Sequence, residues 1–265
     1  MSNYILAALL ACSTMIAEQL HIDHVTVAGR DLRAMQQALQ AVGIPAEYGG
    51  AHSNHATEMA LTSFPDGSYL ELIAIQPHAD PAAVRAHVWS KFLEGNAGPC
   101  AWATRVAFIP AKDKPLKNGR KRPDGVQLEW ETAQVGPGNG TFFPFLIHDF
   151  TPRDLRAYPS GKPTTTQFTG IVKVYIAVKN LDTAVAEYRR GYKLAEPERA
   201  DDASFGAKLA SFQGTPVVLA TPLGASWLVE RLERFGEAPC AFVLGRAKPA
   251  AKITWLDAGW HLGVQ

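Results

Sequence analysis

Residues 22–28 read IDHVTVA and residues 69–75 read YLELIAI, and the way these two stretches are joined decides the architecture. The first alternates and is rich in β-branched residues, which predicts a strand. Period two places Ile22, His24, Thr26 and Ala28 on one face and Asp23, Val25 and Val27 on the other. Asp31 follows as a helix N-cap, and Leu32, Met35, Leu39 and Val42 recur at helical spacing until Gly43. Residues 44–48 and 57–64 then read as strands, and Pro65-Asp66-Gly67 as a tight turn into the last strand at 69–75. The order is β-α-β-β-β.

The same order recurs downstream. Residues 171–178 (IVKVYIAV) form a strand, Asn180 caps a helix carrying Leu181, Val185 and Tyr188, and strands follow at 207–212 and 216–220. Each copy is followed by an amphipathic helix, at 84–93 and 227–235, and then by Pro-Cys-Ala-aromatic, at Pro99 to Trp102 and at Pro239 to Phe242. The chain is thus expected to be α+β, built from duplicated βαβββ modules. The expected division is a first domain at 21–150 and a second, degenerate half at 151–265, with 21–77 and 169–222 as the matching units. The segment between the copies holds strand-like stretches at 126–135 and 141–147.

Composition sets limits on function. The chain has 265 residues, a formal net charge of +1 and 47% hydrophobic residues, ample for a buried core without a nucleic-acid footprint. The basic run at 112–122 (KDKPLKNGRKR) is broken by Pro and Gly, lacks an aromatic, and reads as a solvated loop. The three cysteines, at 12, 100 and 240, match no CxxC pattern. Residues 4–17 are apolar and uncharged, too short to span a bilayer as a helix, and similar to the core of a secretory signal at residues 1–17. A periplasmic or secreted location is therefore expected, with a lipid anchor on Cys12 or a Cys100–Cys240 disulfide as dependent readings, and a cytoplasmic location as the alternative.

His24 and Glu71 are the first candidate site residues. The apolar face of Val25 and Val27 suits the following helix, so His24 faces the other side of the sheet. Glu71 stands in an apolar strand, where a carboxylate needs a metal or a cationic partner such as Arg or Lys. The loop at 49–58 (GGAHSNHATE) supplies His52 and His55 for proton transfer, anion binding or a metal. His148 and Arg105 are further candidates, as a metal ligand and an anion clamp. No nucleophile elbow, Rossmann fingerprint or phosphate loop is present.

Together, Asp23-His24, Gly49-Gly50-Ala51-His52 and Gly67-Ser68-Tyr69-Leu70-Glu71-Leu72 resemble the vicinal-oxygen-chelate superfamily, and within it the glyoxalase-like domain group. The resemblance implies cupped sheets around one divalent metal (Zn, Ni, Mn or Fe(II)), with His24 and Glu71 as ligands. It also implies isomerase, lyase or dioxygenase-type chemistry on a small oxygen-rich metabolite. In the second copy, Lys173 stands at the place of His24, and Val218 or a neighbour at the place of Glu71. The remaining ligands are then expected from His148, His52 or His55; the alternative is a metal-free protein that sequesters a small ligand. The partner expected is a small-molecule substrate or ligand, with no nucleic acid and no transmembrane helix, and a homodimer is left open as the assembly.

Overall fold

The computed structural model of the chain describes residues 20–136 and 138–265. The expected export signal at 1–17 and Cys12 lie outside the described residues. Among those described, no helix is long and apolar enough to cross a membrane.

The first unit follows the order read from the sequence: β1 (Ile22–Gly29), α1 (Leu32–Ala41), β2 (Glu47–Ala51), β3 (Thr57–Ser63) and β4 (Tyr69–Ile75). Asp31 caps α1 by accepting from the Ala34 amide, and Gly43 takes the positive φ that lets the chain turn out of the helix. β1 pairs in parallel with β4, bringing Thr26 opposite Glu71. On its other edge β1 pairs antiparallel with β5 (Gly98–Arg105).

The segment between the copies is not a spacer. It forms β6 (Leu116–Lys121), β7 (Gln127–Ala133) and β8 (Phe145–Asp149), which join β5 in an eight-stranded sheet of order β2-β3-β4-β1-β5-β8-β7-β6. The order is a palindrome about the β1–β5 seam. β8 lies parallel to β5 as β4 lies parallel to β1, and the remaining neighbours are antiparallel. The four strands β5 to β8 are thus a second module whose helix has shrunk to a single 3-10 turn at Ala111–Asp113. With no helical periodicity, and with the basic run in place of an apolar stripe, its sequence does not advertise the repeat. The expected loop at 112–122 is in part the edge strand β6.

The second sheet repeats the scheme with one strand fewer. It contains β9 (Gly170–Ala177), β10 (Glu198–Asp202), β11 (Ala207–Ser211), β12 (Val217–Pro222), β13 (Ala238–Gly245), β14 (Thr254–Asp257) and β15 (His261–Val264), in the order β10-β11-β12-β9-β13-β15-β14. The helix expected at 84–93 is divided into α2 (Pro81–Ala86) and α3 (Ser90–Gly95), because residues 87–89 turn out of helical geometry at an extended His87. α4 (Arg153–Ala157) links the sheets, α5 (Leu181–Tyr192) matches α1, and α6 (Trp227–Phe235) precedes β13.

The main core lies between the sheets. Val25, Val27, Leu70 and Leu72 meet Leu32, Met35 and Leu39 of α1 on one side, and Val174, Ile176, Phe242 and Leu244 of the second sheet on the other. His24 and Glu71 therefore face away from this core, as period two requires. The inner face of the second sheet is filled instead: Tyr175, Phe205, Val218, Leu228, Leu232 and Cys240 pack together with Trp227 and Trp255. Tyr175 pairs with Val218 as Thr26 pairs with Glu71, which fixes Val218 as the counterpart of Glu71. Cys100 and Cys240 are free thiols in separate core clusters, so the disulfide reading is corrected.

Candidate functional site

The concave face of the first sheet encloses a cavity of about 310 Å³, open to solvent on one side. His24, His52, Glu71 and His87 share it with Arg120, Arg156 and an aromatic wall of Tyr69, Trp89, Trp130 and Phe145.

His24 is placed by a β-bulge. Ile22 pairs with Thr104 and His24 with Ala103, so Asp23 is an extra residue on β1. A bulge re-aims side chains that strict alternation would separate. Here it lets the buried Asp23 carboxylate accept from His24 Nδ1 at 2.7 Å. That bond holds the proton on Nδ1 and leaves Nε2 facing the cavity. The imidazole also stacks on Tyr69, with ring centres 4.8 Å apart, and meets the edge of Phe145.

Asp23 is itself held by α4. Arg156 donates to both of its oxygens, at 3.1 and 2.8 Å, and Arg153 donates to one of them. Arg156 also reaches Asp149 and the Tyr69 hydroxyl. Burial alone would raise the Asp23 pKa, but Arg156, the bond with His24 and Arg153 hold it well below the usual carboxylate range. The two aspartates and two arginines cancel in charge, as a buried cluster must.

Glu71 stands between two imidazoles. Its Oε2 lies 3.8 Å from His24 Nε2 and accepts from Thr26 Oγ1 at 3.2 Å, and its Oε1 lies 3.6 Å from His52 Nε2. Burial pushes its pKa up, but His52, His24 and Thr26 prevail and bring it to about 2. His52 is aimed by a self-bonded turn: its Nδ1 is 2.8 Å from Thr57 Oγ1, and Asn54 Oδ1 accepts from the Ala56 and Thr57 amides. Burial and the neighbouring His52 lower the pKa of His87, with Glu71 acting against them.

The other expected site residues lie elsewhere. His148 alternates with Phe145 and Ile147, which face the cavity, and so points to the opposite side of β8, where Nδ1 lies 3.3 Å from the Val106 carbonyl. His55 is an exposed turn residue at positive φ, outside the cavity lining. Arg105, at the end of β5, donates to the Asp66 carbonyl at 2.8 Å and does not line the cavity. Arg120, Trp130, His87 and Arg156 belong to the site and were missed. The available signal was the alternation of Asn118 with Arg120 and of Trp130 with Thr132, which all line the cavity from β6 and β7.

Two nitrogens and a carboxylate form a donor set suited to Zn, Ni, Mn or Fe(II). Among the described residues, no three His, Cys, Asp or Glu side chains are closed around a point as a bound ion would close them. The separations of 3.6 and 3.8 Å from Glu71 are a few tenths wider than the roughly 3–3.5 Å between donors sharing an ion at about 2.1 Å. Both imidazoles already have Nδ1 engaged, which is how ligating histidines are usually held. The donor types of His24, His52 and Glu71 suit a divalent ion, while the three side chains as they stand are not drawn together around one. The second module adds no ligand on this face, where Ala103, Phe145 and Ile147 stand.

Residues 22–192 match the glyoxalase-like domain family, and the chain belongs to it. A search of curated proteins finds no match. Among solved structures, a hypothetical protein from Staphylococcus aureus is similar at a TM-score of 0.67 and 14% identity, over 92% of this chain and 98% of that one. A xylose isomerase-like TIM barrel/4-hydroxyphenylpyruvate dioxygenase fusion protein is similar at a TM-score of 0.51 and 15% identity, over 87% of this chain and 37% of that one. At these identities the likeness is one of fold.

Proposed function

We propose that this member of the glyoxalase-like family is a divalent-metal-dependent enzyme acting on a small oxygen-bearing metabolite in the cup of its first sheet. The observation that carries this reading is the pair of imidazoles, each with Nδ1 engaged, presenting Nε2 to the two oxygens of one carboxylate. His24, His52 and Glu71 would hold the ion. When bound, it would supply Lewis-acid polarisation of a substrate oxygen.

The protein's own part is positioning and proton transfer. Asp23 fixes the His24 tautomer, Thr57 orients His52, and Thr26 orients Glu71. His87 shares the cavity, is not one of the three donors, and has a lowered pKa that keeps the neutral imidazole available as a base near neutral pH. The aromatic wall lowers the local polarity in which these groups act.

Metal analysis of protein purified without chelator tests the reading. Wild type is expected to carry about one divalent ion per chain, and E71Q and H52A to lose it while keeping the native circular dichroism spectrum. A wild type that stays free of metal after incubation with Zn, Ni, Mn and Fe(II) rejects the enzyme reading. The metal-free binding module would then stand, favoured by the ligand-free second module at Ala103, Phe145 and Ile147.

A further inference from the structure

The cavity is lined by two guanidinium groups in different electrostatic settings. Arg156 is buried and fully engaged with Asp23, Asp149 and the Tyr69 hydroxyl. Arg120, on β6, is half-buried and donates from Nη1 to the Gly49 carbonyl at 3.0 Å. Among the described residues, no carboxylate lies within ion-pair distance of Arg120, although other half-buried arginines of this chain, Arg122 and Arg153, have one. Arg120 faces the same cavity as Glu71, flanked by Asn118 and Trp130 and with Trp89 also in the lining.

A guanidinium carries five N–H donors in a fixed fork, and one carbonyl leaves most of them for a ligand. Glu71 contributes one negative charge and Arg120 one positive charge to the cavity proper. On the metal-dependent reading a divalent ion would add two positive charges that an anionic ligand offsets; without it Glu71 and Arg120 cancel, and the fork of Arg120, free of any carboxylate within ion-pair distance, is what favours an anion. Trp89 and Trp130, with Phe145, Ile73 and Ile147, give the remaining wall an apolar and largely aromatic character.

We propose that Arg120 receives a carboxylate of the substrate, so that the cavity takes a small organic anion with its apolar, planar body against Trp89 and Trp130. The placement of the substrate's oxygen-bearing end at His24, His52 and Glu71 rests on the metal-dependent reading above; the carboxylate site on Arg120 does not. Arg120 is thereby a specificity residue, selecting for charge rather than for the reaction.

Benzoate and benzamide share shape and differ in charge; in chelator-treated protein their difference reports on Arg120, and there the R120Q outcome decides, because in the Mn-supplemented form a bound ion would itself attract the carboxylate. Each is titrated by calorimetry and by tryptophan fluorescence against chelator-treated and Mn-supplemented protein. Wild type is expected to bind benzoate at least tenfold more tightly than benzamide in both forms. R120Q, which removes both the charge and the fork, is expected to lose that preference. R120K, which keeps the charge without the fork, is expected to retain part of it. Unfolding midpoints of both variants establish that each is folded. Equal affinity for the two probes, no benzoate binding by wild type, or a preference that survives in chelator-treated R120Q each overturns the proposal. A preference lost only in R120Q, in protein that takes up no metal, upholds Arg120 and removes the metal reading, so the two fail separately.

Discussion

At the scale of single residues, Asp23 does the most with the least exposure. It is fully buried, orients His24, and balances Arg153 and Arg156. Asp23→Ala is expected to cost about 3–5 kcal/mol of stability, because it leaves buried guanidinium groups without their main counter-charge. Urea unfolding of the two proteins at neutral pH measures this. The pH dependence has a definite sign. A carboxyl whose folded pKa is depressed contributes stability that is fully present above its unfolded value of about 3.9 and is lost as pH falls through the folded value. Asp23 is depressed well below the usual range, so its contribution persists through moderate acid. Wild-type stability should therefore fall steeply only below about pH 4, and Asp23→Asn should flatten that part of the profile. An unchanged acid limb in the variant would show that Asp23 does not set it.

At the scale of elements, the β6–β7 hairpin carries function on an exposed edge. Gly119 lies beside Arg120, and a Cβ there would stand 2.8 Å from the Leu128 carbonyl oxygen on β7. That contact is backbone and cannot rotate away, so Gly119→Ala has to push β6 off its partner. Overpacking of this kind costs about 1–3 kcal/mol, and on an edge hairpin the loss should stay local. Hydrogen exchange is expected to accelerate at 116–133 while β1 and β4 remain protected, and benzoate affinity should fall with the displacement of Arg120. Exchange that accelerates across the whole first sheet would contradict a local role for this strand pair.

At the scale of the molecule, two cups of one design have diverged. The first keeps an open polar cavity, and the second is closed by Tyr175, Phe205, Trp227 and Trp255. The sheets are joined at the β5–β13 seam by Arg231 of α6, a buried cation that donates to the carbonyls of Ala97, Pro99 and Pro239. Arg231→Met leaves those carbonyls without this donor and should cost roughly 2–4 kcal/mol. If the seam couples the two halves, denaturant unfolding of the variant should also broaden, with a smaller m-value. Burial pushes the Cys240 thiol up to about 12 and raises Cys100 in the same direction. Peptide mapping after iodoacetamide treatment should find both unmodified in native protein and both modified after unfolding. Labelling of either in the native state would place a solvent path into the core.

The chain order β-α-β-β-β, its recurrence, and the pairing of His24 with Glu71 were legible in the sequence because they depend on local chemistry. Alternation sets the faces of β1 and β4, Asp31 and Asn180 cap helices, and a carboxylate among leucines has to find a partner. The degeneracy of the second copy was legible for the same reason, through Lys173 and Val218. Only the tertiary structure decided which other side chains reach the cup. The module β5 to β8 has lost the helix whose periodicity would mark it, and its strands find their places by pairing across the β1–β5 seam. That pairing turns a basic segment into a cavity wall bearing Arg120 and sends His148 to the far face. The bulge that swings Asp23 beside His24 arises from strand registry between residues about eighty apart in the chain, which no local pattern encodes.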